Sequence, residues 1–243
     1  MKIDFIIPIY NEEQLLEKNI IKLFNFLNSQ NYNFYWEIKI IINGSSDSSA
    51  DIAQKISEKE EKIKTMIIKE KGKGRAIKEA IEKSFADYII YMDIDLAVSL
   101  ENINDLIDEI KNNYDLIIGS RLLSSSQRER SWIKDLSSKA YIFLSKIILH
   151  HNFSDLQCGF KAIKRNSFNE INNLIEDKGW FFDTEILIFS QKNRFKTKEI
   201  AVNWSENRYE KRKSKIKLFQ DSINFTINLI KLKKRLKNIN FKK

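Results

Sequence analysis

The spacing of apolar residues changes period along the chain, and the changes mark out its elements. Residues 3–9 are a nearly continuous apolar run of strand length, as expected for a strand buried on both faces. Leu15, Leu16, Ile20, Leu23, Phe24 and Leu27 then recur at helical spacing over residues 12–27, and residues 36–42 read as a second strand. The alternation continues with a helix over 46–56, preceded by Ser and Asp capping candidates, and a strand over 64–68. A helix over 74–85, a strand over 88–92, a helix over 100–111 and a strand over 115–118 follow. Strands and helices alternating at these lengths predict an α/β fold with a mostly parallel sheet covered on both faces. Its ligand crevice should lie at the carboxyl ends of the strands.

After Gly119 the alternation stops. Residues 120–131 are polar and include Arg121, Arg128 and Arg130; residues 132–149 form a long amphipathic helix. Segments 156–163, 181–189 and 198–204 predict a second region of mixed strands and helices. No internal repeat and no linker rich in Pro, Gly or Ser divides the chain. The expectation is one domain over 1–207, with a regular half at 1–119 and an elaborated half at 120–207, followed by a basic amphipathic segment over 208–243.

Composition narrows the function classes. With 243 residues, 42% hydrophobic and 31% charged, the chain can bury a sizeable core, which excludes intrinsic disorder. No run of about 18 uncharged apolar residues occurs, and the best candidate, 140–149, is broken by Lys146, so no membrane-spanning helix is predicted. Residues 1–8 lack the apolar core of a secretion signal, which predicts a cytoplasmic protein. A lone Cys158 excludes an internal disulfide and a cysteine-based zinc cluster, and His150 and His151 are adjacent; a metal would rest on carboxylates. Cys158 itself reads as a small buried residue.

The net charge of +9 is unevenly placed. Residues 208–243 hold 13 Lys and Arg against Glu210 and Asp221, and the first 207 residues are nearly neutral. A nucleic-acid reader more often carries its cations on the folded body among base-reading or stacking side chains, so no nucleic-acid partner is expected. Ile216, Phe219, Ile223, Ile227 and Ile230 recur at spacings of three or four, widened by Leu218, Phe225, Leu229 and Leu232. Such a helix suits an anionic membrane surface, or docks on the domain with a solvated basic end. Glycines number six, and Gly44, Gly72, Gly74, Gly119, Gly159 and Gly179 all fall in predicted loops, most of them after strands.

Candidate chemistry gathers at strand ends. Asp93-Ile94-Asp95 directly follows a buried strand, where carboxylates two residues apart point the same way and can converge on a divalent cation. Pro8-Ile9-Tyr10-Asn11-Glu12-Glu13 ends the first strand, and a turn with Asn11 capping the next helix explains it equally well. Asn43-Gly44-Ser45-Ser46-Asp47 ends the second, so two strand ends carry short polar groups able to meet a nucleoside. Lys71-Gly72-Lys73-Gly74-Arg75 opens a helix, with backbone N–H groups and positive charge suited to a diphosphate, although its spacing is not that of a Walker loop.

In this order and spacing, together with Gly119-Ser120-Arg121, these motifs resemble the family 2 glycosyltransferases of GT-A fold. Three later stretches are similar to the dolichyl-phosphate β-glucosyltransferase and polyprenyl-phosphate glycosyltransferase branch. They are Asp155-Leu156-Gln157-Cys158-Gly159-Phe160-Lys161, Trp180-Phe181-Phe182-Asp183-Thr184-Glu185 and Val202-Asn203-Trp204. The resemblance implies that Pro8, Tyr10, Asn11 and Glu13 line the nucleoside pocket, with Asn43, Ser45, Asp47 and Gly72, Lys73 and Gly74 beside it. It implies that Asp93 and Asp95, flanking Ile94, hold Mg²⁺ or Mn²⁺ at the diphosphate, Asp95 the more direct ligand. Arg121, with Arg128 or Arg130, would hold an acceptor phosphate; Asp155, Gln157 and Lys161 would lie at the acceptor side. Asp183 and Glu185 would lie near the donor sugar, Glu185 also among the acceptor contacts.

Two departures are visible. Many relatives have an acidic residue where this chain has Asn43 and another polar one at Ile42, so the resemblance leaves UDP-sugar, the favoured donor, against GDP-mannose. The N-terminal membrane helix of the eukaryotic glucosyltransferases is not seen, so attachment is expected to be peripheral, on the cytoplasmic face. The implied activity is metal-dependent, inverting transfer of a hexose, glucose favoured, to polyprenyl (dolichyl or undecaprenyl) phosphate. A saccharide-hydroxyl acceptor is the nearest alternative, and would require a base such as Asp183 or Asp155. A sugar nucleotidyltransferase would share the sheet and Mg²⁺ but should carry a Gly-rich basic loop where Tyr10-Asn11-Glu12-Glu13 stand.

Overall fold

The computed structural model describes residues 1–129, 132–205, 218–239 and 241. Side chains of 128, 129, 132–137 and 218–223 lie outside the description, as do Arg130 and the basic stretch 208–217.

Four strand-and-helix pairs and a fifth strand build the first half: β1 (Lys2–Ile9), α1 (Glu13–Ser29), β2 (Tyr35–Asn43), α2 (Ser49–Lys59), β3 (Ile63–Ile68), α3 (Lys73–Glu82), β4 (Tyr88–Tyr91), α4 (Asn102–Lys111) and β5 (Leu116–Ser120). The second half adds β6 (Gln127–Glu129), α5 (Trp132–Leu149), β7 (Lys161–Lys164), α6 (Arg165–Ile171), α7 (Phe182–Lys192), β8 (Thr197–Ala201), β9 (Asn203–Ser205) and α8 (Leu218–Lys237). The seven-stranded sheet runs β3-β2-β1-β4-β7-β5-β8. Every pairing in it is parallel except those of β7, which runs antiparallel to both β4 and β5. A separate two-stranded ribbon pairs β6 with β9.

Strand alternation divides the core into two layers. Ile3, Phe5, Ile7 and Ile9 of β1, with Ile38, Ile40 and Ile42 of β2, meet Leu16, Ile20 and Leu23 of α1, Ala53 of α2 and Ile103 and Leu106 of α4. Ile6, Ile41, Ile89 and Tyr91 face the other way, onto Ile77 of α3 and Phe182 and Ile186 of α7. This parity carries into the site, because Asp93 continues the phase of Tyr91 and is directed to the α3 and α7 side.

Two glycines expected in loops lie within elements: Gly74 in the first turn of α3, and Gly119 in β5. Both are there for close packing, since a Cβ at Gly74 would meet Phe182 and one at Gly119 would meet Phe160 and Val202. The basic helix splits by face. Leu229 and Leu232 of α8 are buried against the α5 and α7 layer with Phe225 beside them, while Ile227 and Ile230 are exposed.

Candidate active site

At the carboxyl edge of the sheet, the loops after β1 and β2 are braced on each other. Asn11 N–H donates to Ser45 Oγ (3.1 Å), and Asn11 Oδ1 accepts from Ser46 N–H (2.8 Å). Glu13 N–H donates to Asp47 Oδ2 (3.1 Å), and Ser48 N–H to Glu13 Oε2 (2.9 Å). Asn11 has a φ of +50° and does not cap α1, whose N-cap is Glu12; its side chain instead ties the two strand ends together. Sequence placed Asn11, Glu13, Ser45 and Asp47 in one pocket wall, and the structure brings them together through mutual hydrogen bonds. Pro8 ends the same strand, and Tyr10 lies just past it with the Lys71 ammonium 4.0 Å from its ring centre.

Asn43 is buried with both ends of its amide engaged: Nδ2 donates to Ile9 O (2.7 Å) and Oδ1 accepts from Gly72 N–H (3.0 Å). It joins three segments of the crevice.

The N-terminus of α3 differs from the expectation of free amides. Gly74 N–H donates to Gly179 O (3.1 Å) and Arg75 N–H to Lys178 O (3.2 Å), so carbonyls of the 176–181 loop occupy the positive end of the helix. That approach is why Gly72 must be glycine: its φ is +151°, and a Cβ would overlap Lys178 O.

Asp93 stands at the centre of the charge. Its side chain is 42% exposed, and Oδ1 lies 2.7 Å from the Lys73 ammonium, itself only 9% exposed. Lys73 Nζ is also 3.7 Å from Asp183 Oδ2 and 5.0 Å from the centre of the half-exposed Trp180 ring. Asp183 is buried, accepts from Tyr91 O–H (2.8 Å) and pairs with Lys161 (2.6 Å). Burial raises its pKa, but Lys161 and Lys73 outweigh this and hold it below the usual range. Burial likewise opposes charge on Lys73, and Asp93 and Asp183 more than offset it, holding the ammonium above the ordinary lysine range.

Lys161, expected at the acceptor side, is fully buried, committed to Asp183 and the Cys158 carbonyl. Ile94 is a core residue whose carbonyl accepts from Asn19, while Asp95 half-emerges beyond it and accepts from Ala97 N–H (3.3 Å). Burial raises the pKa of Cys158 to about 11, consistent with an inert thiol.

On the other side of Gly159, Arg121 and Asp155 form a buried fork, with Nε to Oδ2 at 2.7 Å and Nη2 to Oδ1 at 3.0 Å. Burial disfavours both charges, and the pairing overcomes it, taking Asp155 down to about 2. Gln157 N–H donates to Asp155 Oδ1 (2.9 Å), and its amide reaches Thr184 Oγ1 (2.9 Å), which also meets the Tyr141 hydroxyl (2.9 Å). Arg128 lies in β6, but its side chain is outside the description, as is all of Arg130.

Glu185 stands apart from this wall. Its Oε2 accepts from Glu176 and Asp177 N–H (2.9 and 2.7 Å), and its Oε1 pairs with Arg235 of α8. It anchors the 176–181 loop and the C-terminal helix. Sequence reasoning missed Tyr91, Thr184, Tyr141 and Arg235. Tyr91 was visible two residues before Asp93 on one strand face, whereas nothing in the sequence marked Tyr141 or Arg235.

Among the described residues no cluster of three or more His, Cys, Asp or Glu could by itself hold a metal, so a cation at Asp93 and Asp95 would draw other ligands from substrate or water. The arrangement is an α/β glycosyltransferase of GT-A fold, with two aspartates just past a central strand and a basic wall beside them. The chain belongs to glycosyl transferase family 2: the family model with the description Glycosyl transferase family 2 matches residues 4–172.

Among curated proteins it is similar to the glycosyltransferase AglD of Haloferax volcanii, 28% identical over 84% of this chain and 33% of that protein. It is similar to the dolichyl-phosphate beta-glucosyltransferases of Dictyostelium discoideum (30% identity, 95% of this chain and 73% of that one) and Homo sapiens (27%, 84% and 68%). The chain thus spans a third of the first relative and about 70% of the other two. The same fold occurs in glucosyl-3-phosphoglycerate synthase from Mycobacterium tuberculosis, solved with UDP (TM-score 0.68, 15% identity, 96% of this chain and 80% of that one), a protein also solved with Mn²⁺ and UDP. It occurs too in TarS of S. aureus (TM-score 0.57, 16% identity, 94% and 65%).

Proposed function

We propose that the protein transfers a hexose, glucose favoured, from a nucleoside diphosphate sugar to polyprenyl phosphate, with inversion to a β-linked lipid phosphate sugar. Residues 1–119 supply the donor half, 120–207 the acceptor half and 208–243 a surface attachment. The observation that carries the choice of acceptor is the charge state of the buried carboxylates. Asp155 and Asp183, the two candidate bases, are both ion-paired and held below the usual carboxylate range. A sugar hydroxyl needs a base with appreciable proton affinity. A phosphate monoester has a second pKa of about 6 and is already largely ionised at neutral pH, so it needs positioning cations instead. Arg121, oriented by Asp155, is the cation for that role.

Asp93 and Asp95 fit a hard divalent cation, Mg²⁺ or Mn²⁺: both offer carboxylate oxygens at one strand end, and that of Asp93 is substantially exposed. When bound, the ion neutralises charge that builds on the departing diphosphate. The chain's own groups do the rest. Tyr91 and Lys161 hold Asp183, Gly159 leaves room for Asp93 and Lys73, and the Asn43 link to Gly72 holds the donor loop against the end of β1.

Membrane attachment is the remaining element. No helix of the described residues is long and apolar enough to cross a membrane. However, α5 and its neighbour α8 expose Phe143 (69%), Ile147, Ile227 and Ile230, with exposed Lys139, Lys146 and Lys231 on the same helices. Apolar side chains set among lysines suit an anionic lipid surface and would bring the acceptor's head group to the basic wall on the cytoplasmic face.

The test is transfer of label from UDP-glucose, UDP-galactose, UDP-N-acetylglucosamine or GDP-mannose into organic solvent, with and without polyprenyl phosphate and with Mg²⁺ or Mn²⁺. Metal-dependent label in the lipid phase supports the reading and names the donor. Transfer to a saccharide with none to lipid phosphate would overturn it.

A further inference from the structure

Lys73 opens α3 from the glycine-rich turn, yet its ammonium is turned inward onto Asp93 and Asp183, beneath Trp180. The pocket is built for it. A Cβ on Gly159 would lie 2.6 Å from Lys73 Nζ and closer still to Asp93 Oδ2, so the ion pair fits only because residue 159 has no side chain. Asp183 is already satisfied by Lys161 and Tyr91, whereas Lys73 is the cation on Asp93 among the ion pairs of the described residues.

In the unloaded protein this ion pair competes with a divalent cation for Asp93. An ammonium 2.7 Å from Asp93 Oδ1 occupies the position a metal needs, since Mg²⁺ or Mn²⁺ sits about 2.0–2.2 Å from a carboxylate oxygen. Two cations on one carboxylate oxygen repel each other. For a metal to take Asp93 Oδ1, Lys73 must leave. The anion that arrives with the metal is the donor's diphosphate, and a lysine side chain has the reach to turn from Asp93 to it.

We propose that Lys73 is an exchangeable internal counter-ion: it holds Asp93 in the unloaded protein and passes to the donor diphosphate when the metal binds. The protein thereby disfavours metal without nucleotide and uses the released charge to hold the nucleotide. No group is consumed; one ion pair is exchanged for two. The inference rests on the reading of the donor as a nucleoside diphosphate sugar, but its test needs no acceptor lipid.

The experiment is titration of the full chain with Mn²⁺ alone, followed by electron paramagnetic resonance, and with UDP at saturating Mn²⁺ by calorimetry. Lys73→Met should bind Mn²⁺ alone about 10-fold tighter than the native protein and UDP about 10-fold more weakly, a coupling of ordinary allosteric size. A merely structural lysine would weaken both. Lys73→Gln, which keeps a donor for Asp93, repeats the measurement should the methionine variant melt early, and opposite changes in the two affinities are again expected. Unchanged or weakened Mn²⁺ binding in the folded variants overturns the proposal, as does a native protein that binds no Mn²⁺ even with UDP. Lipid-phase transfer by the native protein is scored separately, so failure of the counter-ion exchange and failure of the proposed activity are told apart.

Discussion

Replacing Gly159 by alanine tests whether the site depends on the contact between Asp93 and Lys73. The added methyl would meet Asp93 Oδ2 most closely and stand 2.6 Å from Lys73 Nζ, where ordinary contact is about 3.5 Å, so the side chains must retreat by about 1 Å. Both are ends of side chains rather than backbone, and the cost to folding is that of modest overpacking, about 1–2 kcal/mol. In a chain of this size that lowers Tm by about 2–8 °C. A 1 Å displacement of a reacting constellation costs about 100-fold in rate, or roughly 2.7 kcal/mol of transition-state stabilisation. The expected outcome is a cooperative, slightly less stable protein with transfer reduced about 100-fold, read by lipid-phase label beside a thermal melt. Native turnover in Gly159→Ala would refute the reasoning, and so would loss of turnover explained by unfolding at the assay temperature.

Other perturbations separate the remaining parts. Asp95→Ala should abolish metal-dependent transfer while changing Tm by only a few degrees, because Asp95 is half-exposed; turnover at the native level would remove it from the site. Asp155 has a folded pKa of about 2, below its ordinary value near 3.9, so its roughly 2.5 kcal/mol of stability is present above pH 4 and is lost as pH falls toward 2. Arg121→Ala should remove that acid-limb dependence in urea melts and destabilise by about 3 kcal/mol at neutral pH, since Asp155 is left buried without its cation; an unchanged acid limb would contradict the pairing. Exchanging Phe143 and Ile230 for serine should reduce flotation with anionic vesicles at low salt and leave Tm nearly unchanged, whereas equal flotation would take this surface out of the membrane argument.

Periodicity located the elements because a two-faced sheet imposes it. The apolar runs in β1 and β2 exist because both faces of these strands are covered, and the helical stripes of α1 and α4 face one side of the sheet. The second half was less legible. β7 lies between β4 and β5 and runs against both, a placement set by tertiary contact between segments about 45 to 70 residues apart. The same division holds in the site. Asp93 and Arg121 could be placed at the crevice because each follows closely on a strand of the sheet, whereas Asp95 lies beyond the strand, in the turn closed by Leu96 N–H on Asp93 O. Asn11, Asn43 and Lys161 serve as braces that the sequence did not foretell, because short polar groups and long cations suit ligand contacts and braces equally well. Only partners distant in sequence, such as Gly72 for Asn43 and Asp183 for Lys161, decide which.

Those braces connect the two ends of the molecule. Arg235 of α8 pairs with Glu185 and Glu176 and donates to Leu174 O, and Glu185 in turn holds the N–H groups of Glu176 and Asp177. Asp177 Oδ1 accepts from Gly179 and Phe182, and the carbonyls of Lys178 and Gly179 receive the first amides of α3, next to Lys73. Burial alone would raise Glu185 and favour its neutral form, and although Arg235 and the two amides oppose this, its pKa stays above the ordinary value. Removing Arg235 would therefore leave a buried carboxyl able to escape its cost by protonation while the loop loses its tether to α8. The helix on the proposed membrane side is thus joined, by an unbroken series of hydrogen bonds, to the turn carrying the counter-ion of Asp93. Docking of α8 and order in the donor loop are consequently two readings of one contact set.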